Sequence, residues 1–437
     1  MKPLSYLIPV TAAVIFSNTA FSNDLLEIYQ LAKTNDPQLN ASHHLRLATE
    51  ELRPQSLARF KPQVTLTADA SHTQQENVES SQFVDDTSRS SQISLNARQT
   101  LYHKTFFHQL KQADANIRKA VSEYHDAEQN LIVRSAESYF EILSAQDNLE
   151  FAVAEKNAIN RQLEQTRQRF EVGLIAITDV HEAQAAYDLA VAQEIAAENR
   201  LAIAHEALRE ITGETHQNLA RLNEESKLEL LDNRSVNDWV ESATAQNFRL
   251  LAAQADVDIA SEQIKVDRAD HYPTFDLFAR YAHSDNDSGF TSGSSVNATI
   301  GVEMELPLYL GGGVSSRGRE SAHRHTVAKD RYEQELRATQ RQVRNAYLNI
   351  NASFSQVNAL KQALISTQSA LEATQAGLEV GTRTTVDVLD TRRELFRAQR
   401  DYSRARYDFL LNLLRLRQAA GILNENDVET INNWLRF

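Results

Sequence analysis

The chain has 437 residues, 24% of them charged, with 12 Gly, 7 Pro, no Cys and a formal net charge of −14. With 59 acidic against 45 basic residues, it lacks the surplus of Lys and Arg that nucleic-acid binding uses to displace phosphate counterions. The absence of cysteine removes disulfides, thiol nucleophiles, thiolate-bound metals and a lipid anchor on an N-terminal Cys.

Few Gly and Pro, with abundant Ala, Gln, Leu, Glu and Arg, describe a mainly helical chain. At the amino terminus, Lys2, an apolar run from Leu4 to Phe16 and the small residues Ala20 and Ser22 read as a secretory signal over residues 1–22. That run is about 13 residues long, short of the roughly 20 of a membrane helix. No later apolar stretch is long enough to span as a helix, so any membrane insertion must use strands closed into a barrel.

The rest of the chain is written twice. Phe170-Glu-Val-Gly-Leu-Ile-Ala-Ile-Thr-Asp-Val180 recurs as Leu378-Glu-Val-Gly-Thr-Arg-Thr-Thr-Val-Asp-Val388. Ala58, Pro62 and Leu66 pair in the same way with Ala269, Pro273 and Leu277. The first repeat is expected over 23–235 and the second over 236–437.

Each repeat opens with a short helix (Asp24 to Lys33; Val236 to Ala245), followed by a second helix ending before Pro62 or Pro273. Alternating apolar residues then predict strands at about 62–73 and 91–102, and at about 273–283 and 295–309. Val64, Leu66, Ala68 and Ala70 make one greasy row, and Val296, Ala298, Ile300, Val302, Met304 and Leu306 another. The joining segments 72–90 and 283–295, rich in Ser, Asp, Asn and Gly, read as exposed loops.

A long helix follows in each repeat, at about 104–171 and 314–379. Thr105 to Phe170 contains neither Pro nor Gly, and such a helix reaches on the order of 100 Å. Phe106, Leu110, Ala113, Ile117, Ala120, Tyr124, Ala127 and Leu131 step by four and three, the seam of a coiled coil. Leu336, Val343, Ile350, Val357, Leu364, Leu371 and Leu378 fall seven apart, a spacing that imposes a left-handed supercoil. Turns at Gly173 and Gly381 lead into return helices at about 178–212 and 385–420, and a short C-terminal helix closes the chain. Phe437 matches the terminal residue of many outer-membrane barrels.

Four strands cannot close a barrel, for which about eight is the practical minimum, so oligomerisation is expected. Two chains would supply eight strands and three chains twelve, and the residues alone do not choose.

Val172-Gly-Leu-Ile-Ala-Ile-Thr-Asp-Val180, Val380-Gly-Thr-Arg-Thr-Thr-Val-Asp-Val-Leu-Asp390, Pro307-Leu-Tyr-Leu-Gly-Gly-Gly313 and Asp24-Leu-Leu-Glu-Ile-Tyr29 resemble the TolC family of outer-membrane efflux and type I secretion channels. The resemblance spans about residues 24 to 435. It implies a homotrimer in the outer membrane of a Gram-negative bacterium, with a twelve-stranded β-barrel joined to a long α-helical barrel in the periplasm. It also implies a periplasmic adaptor and an inner-membrane RND pump or ABC exporter as partners, outer-membrane lipid around the barrel, and transport of drugs or proteins. The chain is more similar to the branch serving secretion and efflux together than to the lipid-anchored branch. The competing reading is a periplasmic coiled-coil or adaptor protein without a pore, which would have no use for four alternating strands.

Asp387 and Asp390, three apart, share a helix face. On the residues alone they either complement the helix dipole or form rings of carboxylates around a symmetry axis. The resemblance implies that they line the pore constriction. It also implies a closed-state latch of Thr178 and Asp179 with Arg383, and adaptor contacts at the Gly173 and Gly381 turns. Leu378 departs from the family, which often has a tyrosine there. Gly311-Gly312-Gly313 reads as a strand-to-helix bend, because no Gly-Lys-Ser/Thr follows. His43-His44 and His323-Arg324-His325 read as solvated surface, since near neighbours point to different helix faces. No nucleophile–base set, cofactor loop or metal cluster is apparent, so neither an enzyme nor a bound cofactor is expected.

Overall fold

The structure, a computed structural model, describes residues 23–75, 86–216, 218–223, 234–288 and 291–436. The expected signal, the tip of the first strand hairpin and Phe437 lie outside them.

The first repeat begins with helices α1 (Leu25–Asn35) and α2 (Pro37–Glu50). Asp24 caps α1 by accepting the Glu27 N–H at 2.8 Å, and Asp36 caps α2 with Pro37 at its first position, where the missing N–H costs nothing. The expected single second helix is broken, and a separate α3 runs from Leu52 to Ala58. Pro54 explains the break: it offers no N–H to the Glu50 carbonyl, and its ring crowds that oxygen. In the second repeat Lys265 occupies the corresponding place, and the helix runs unbroken.

Strands β1 (Gln63–Gln75) and β2 (Asp86–Tyr102) follow, then α4 (Lys104–Glu171), α5 (Ile177–Thr212) and the two-residue β3 (Arg221–Leu222). The second repeat holds α6 (Val236–Gln246), α7 (Phe248–Ala269), β4 (Thr274–Ser288), β5 (Thr291–Glu305), α8 (Gly313–Glu379), α9 (Thr385–Ala419), α10 (Glu425–Asn432) and β6 (Leu435–Arg436). β3 pairs with β6, tying the ends of the two repeats together.

The strands form one antiparallel sheet in the order β1-β2-β4-β5. They correct the loop expectation, because β2 begins at Asp86, β4 continues to Ser288 and β5 starts at Thr291. Ladder hydrogen bonds belong to the backbone, so Ser- and Asp-rich sequence stays paired. Hydroxyls cross the strands here, Ser71 to Ser90 at 2.7 Å and Ser284 to Ser295 at 2.9 Å. At the other end β5 stops at Glu305 rather than near 309, since Pro307 cannot donate to a ladder. Gly311 and Gly312, at φ +60° and +78°, make the bend into α8.

Register puts Val64, Ala97, Ala279 and Ile300 in one cross-strand row, and Leu66, Leu95, Tyr281 and Ala298 in the next. These side chains face outward, with Leu66 67% and Ile300 77% exposed. From Met304 to Val296 this apolar surface runs about 26 Å along the strand. The opposite face is polar, with rows such as Thr65, Asn96, Arg280 and Thr299.

The long helices pack by their seams. Val343, Ile350 and Val357 are buried in the main core with Leu131, Phe140, Phe409 and Trp239. On α5 the buried alanines 183, 190, 197 and 204 fall every seven residues, and small side chains there let α5 lie close against α4. α9 occupies the lower half of the space between α4 and α8, and α7 the upper half. The two meet end to end where Asn247, the cap of α7, donates its side-chain amide to the Ala419 carbonyl at 3.0 Å. The first repeat makes an analogous joint, Asn35 to the Thr212 carbonyl at 2.8 Å.

Candidate functional site: the helical tip and the sheet face

The tip farthest from the sheet is built from two equivalent turns. α4 ends with the Gly173 N–H bonding the Phe170 carbonyl and the Leu174 N–H bonding the Arg169 carbonyl. α8 ends identically, with Gly381 to Leu378 and Thr382 to Gly377. Both glycines sit at φ +77°, the left-handed C-terminal closure that satisfies the last helical carbonyls.

The return helices start differently. Ala176 precedes α5 with no side-chain cap, whereas Thr384 caps α9 in a reciprocal box with Asp387. Asp387 accepts the Thr384 N–H at 2.8 Å and its hydroxyl at 2.9 Å, and the Asp387 N–H returns to the Thr384 hydroxyl at 3.2 Å. The Thr384 backbone and hydroxyl bonds, with the nearby Arg383 charge, hold the Asp387 carboxyl below the usual carboxylate range.

Immediately after it, Val388 packs with Leu371 and Leu395, and Leu389 packs with Ile159 and Ala190. These two buried neighbours fix the rotation of α9, leaving Asp390 exposed and paired with Arg393. Leu378 joins the Leu371 cluster, so the side chain at the family's tyrosine position is part of the seam. Thr178 is exposed and Asp179 half-exposed on the first turn of α5. Within the described residues of one chain neither reaches Arg383, which makes no ion pair. A single chain therefore neither assembles the expected latch nor closes a carboxylate ring.

Sequence reasoning missed a polar ladder where α9 meets α4. The Arg392 guanidinium donates to the Ala158 carbonyl at 2.9 Å, Arg400 pairs with the buried Glu155 at 3.0 Å, and Ser403 and Tyr407 both donate to Asp147. Burial, with Asp147 alongside, pushes the Tyr407 phenol up. Glu155, falling on the same helical seam as the buried Ala152, Ile159 and Leu163, was the available signal. His43 lies edge-on to His44 and Tyr124, and among the described residues no three His, Asp or Glu side chains are grouped as metal ligands would be.

An outward apolar sheet face, two sheet edges left unpaired among the described residues and tandem coiled helical hairpins are those of a subunit of an outer-membrane channel. The chain belongs to the outer membrane efflux protein family, whose model matches residues 28–214 and 239–422, one match to each repeat.

Among its relatives, the outer membrane protein TolC of Vibrio cholerae is 42% identical over 440 residues, covering 100% of this chain and 99% of that protein. Escherichia coli TolC is 36% identical, covering 96% of this chain and 86% of its own length. The alkaline protease secretion protein AprF of Pseudomonas aeruginosa is 28% identical, with 96% and 88% covered. The solved Campylobacter jejuni CmeC outer membrane channel shares the fold at a TM-score of 0.79 and 14% identity, covering 94% of this chain and 89% of its own.

Proposed function

We propose that three copies of this chain close a twelve-stranded barrel in the outer membrane, over a helical tunnel that reaches through the periplasm. The assembly is the exit duct for drugs, proteins or both. The observation that carries this reading is the sheet itself. β1 and β5 each present an edge that no other strand among the described residues covers, beside an apolar face open to the surroundings. In lipid an unpaired edge costs several kcal/mol per group, and pairing the β5 edge of one copy with the β1 edge of the next removes it all around the ring.

On this reading the tip is the gate. Threefold repetition places Asp387 and Asp390 in two rings of carboxylates, a field that gathers cations at the constriction. Arg383 of one hairpin is set to reach Thr178 and Asp179 of another, and each exposed contact contributes only about 0–1 kcal/mol. The latch therefore depends on repetition. The Gly173 and Gly381 turns, at the far end of the coils, are the surface for a periplasmic adaptor that couples the duct to an inner-membrane pump or exporter.

Planar-bilayer recording tests the proposal. The chain extracted from outer membranes should run as a heat-resistant trimer and give small, uniform conductance steps, and Arg383→Glu should enlarge those steps. A soluble monomer that leaves the bilayer silent would overturn the channel reading; trimers whose conductance ignores the substitution would overturn the latch alone.

A further inference from the structure

Where the apolar band meets the helices, aromatic rings form a continuous chain. Phe60 lies 5.1 Å from Phe107, Phe107 lies 6.1 Å from Tyr102, and Tyr102 lies 6.4 Å from Phe275. Phe275 is in register with Met304 at the lower end of the outward face, so the rings mark the periplasmic border of the band.

Cations are mounted on this girdle. The Arg59 guanidinium stands over the Phe106 ring at 5.5 Å and the Lys104 ammonium over Tyr272 at 3.2 Å. Lys61, next to Phe60, is exposed and has no ion pair among the described residues. Of the nearby carboxylates, Asp276 and Glu303 share Arg98 and Asp270 bonds Arg317, while Glu305, exposed and without an ion pair among the described residues, falls with Glu303 on the polar face of β5. Arg59, Lys61 and Lys104 thus stand without a carboxylate partner among the described residues, in a chain of net charge −14.

We propose that Arg59, Lys61 and Lys104 form a collar that selects anionic phospholipid headgroups in the periplasmic leaflet; the inference rests on the membrane reading above. Aromatic rings hold the headgroup level, and basic side chains attract anionic lipid at short range. Mounting two of the cations on rings pre-orders their long side chains, so a phosphate meets them without a large loss of rotamer freedom.

The test is lipid retention by the full-length assembly in mixed micelles of phosphatidylglycerol and phosphatidylcholine. The native protein should retain phosphatidylglycerol several-fold over its share of the mixture, with the preference collapsing at high salt. Lys61→Gln, a change at an unpartnered exposed side chain, should weaken it, and Lys61→Gln with Lys104→Gln should bring it to parity. Inorganic phosphate should compete poorly. Equal retention of the two lipids by the native assembly, or an undiminished preference in the double variant, would overturn the collar and leave the channel standing. Failure to insert into vesicles of either lipid would overturn both.

Discussion

Asp387 has two distinct jobs in this chain. As the third residue of α9 it closes the capping box with Thr384, and as a half-exposed carboxylate it supplies charge to the tip. The bonds that do the first keep the second ionised, because they favour the charged form. A folded-state pKa held below the ordinary value means that the cap's contribution is complete above the ordinary carboxylate range. It is lost as pH falls through the depressed folded value. Amide protection in the first turn of α9, taken relative to the intrinsic exchange rate at each pH, should therefore hold from neutral pH into the acid range and fall only once the carboxyl protonates. In Thr384→Ala it should be low already at neutral pH, and equal protection in the two proteins would remove the cap from the account. The pair Asp387 and Asp390 was visible from spacing. That Thr384 is the group restraining Asp387, and Arg393 the one holding Asp390, required coordinates.

Elements in this protein are joined at their ends as much as along their sides. Gly421 shows how tightly. It has the same left-handed backbone as Gly381 (φ +75° against +77°), but a side chain at Gly421 would stand 2.5 Å from the Gln246 carbonyl, whereas Gly381 has open space around it. Gly381→Ala should thus cost only the conformational penalty, roughly 1–2 kcal/mol. Gly421→Ala must also push apart the α9–α7 joint and should cost about 3 kcal/mol or more, read as a larger drop in the midpoint of helical unfolding by circular dichroism. The two glycines look alike in the repeated sequence, because each merely ends a helix. What separates them is a neighbour 175 residues away in the chain (Gln246 against Gly421), which no local pattern reports. The break at Pro54 is the opposite case, since its cause lies wholly within one turn of sequence.

At the scale of the molecule, one sheet has two solvents. Ile300 faces outward, and Thr299, its neighbour, faces the polar side. Ile300→Arg places a charge in the apolar band at roughly 2–4 kcal/mol per copy and should sharply reduce the protein recovered from outer membranes. Thr299→Arg should insert normally, changing only conductance or ion selectivity. The reverse order would mean that the faces have been assigned to the wrong sides, and similar recovery would mean that lipid does not distinguish them.

Much of this was settled by composition and period alone. Alternation in steps of two separates the faces of a strand, and steps of three and four place a helical seam, because backbone geometry dictates both repeats wherever the chain lies. The duplication and the unmatched strand edges follow from the same local rules. What only the tertiary structure decided is how the pieces meet: α7 seated end-on above α9, Asp147 receiving Tyr407 across 260 positions, and the cations mounted on the girdle at the foot of the sheet. Those contacts join residues remote in the chain, and their energies depend on packing and burial that no stretch of sequence contains.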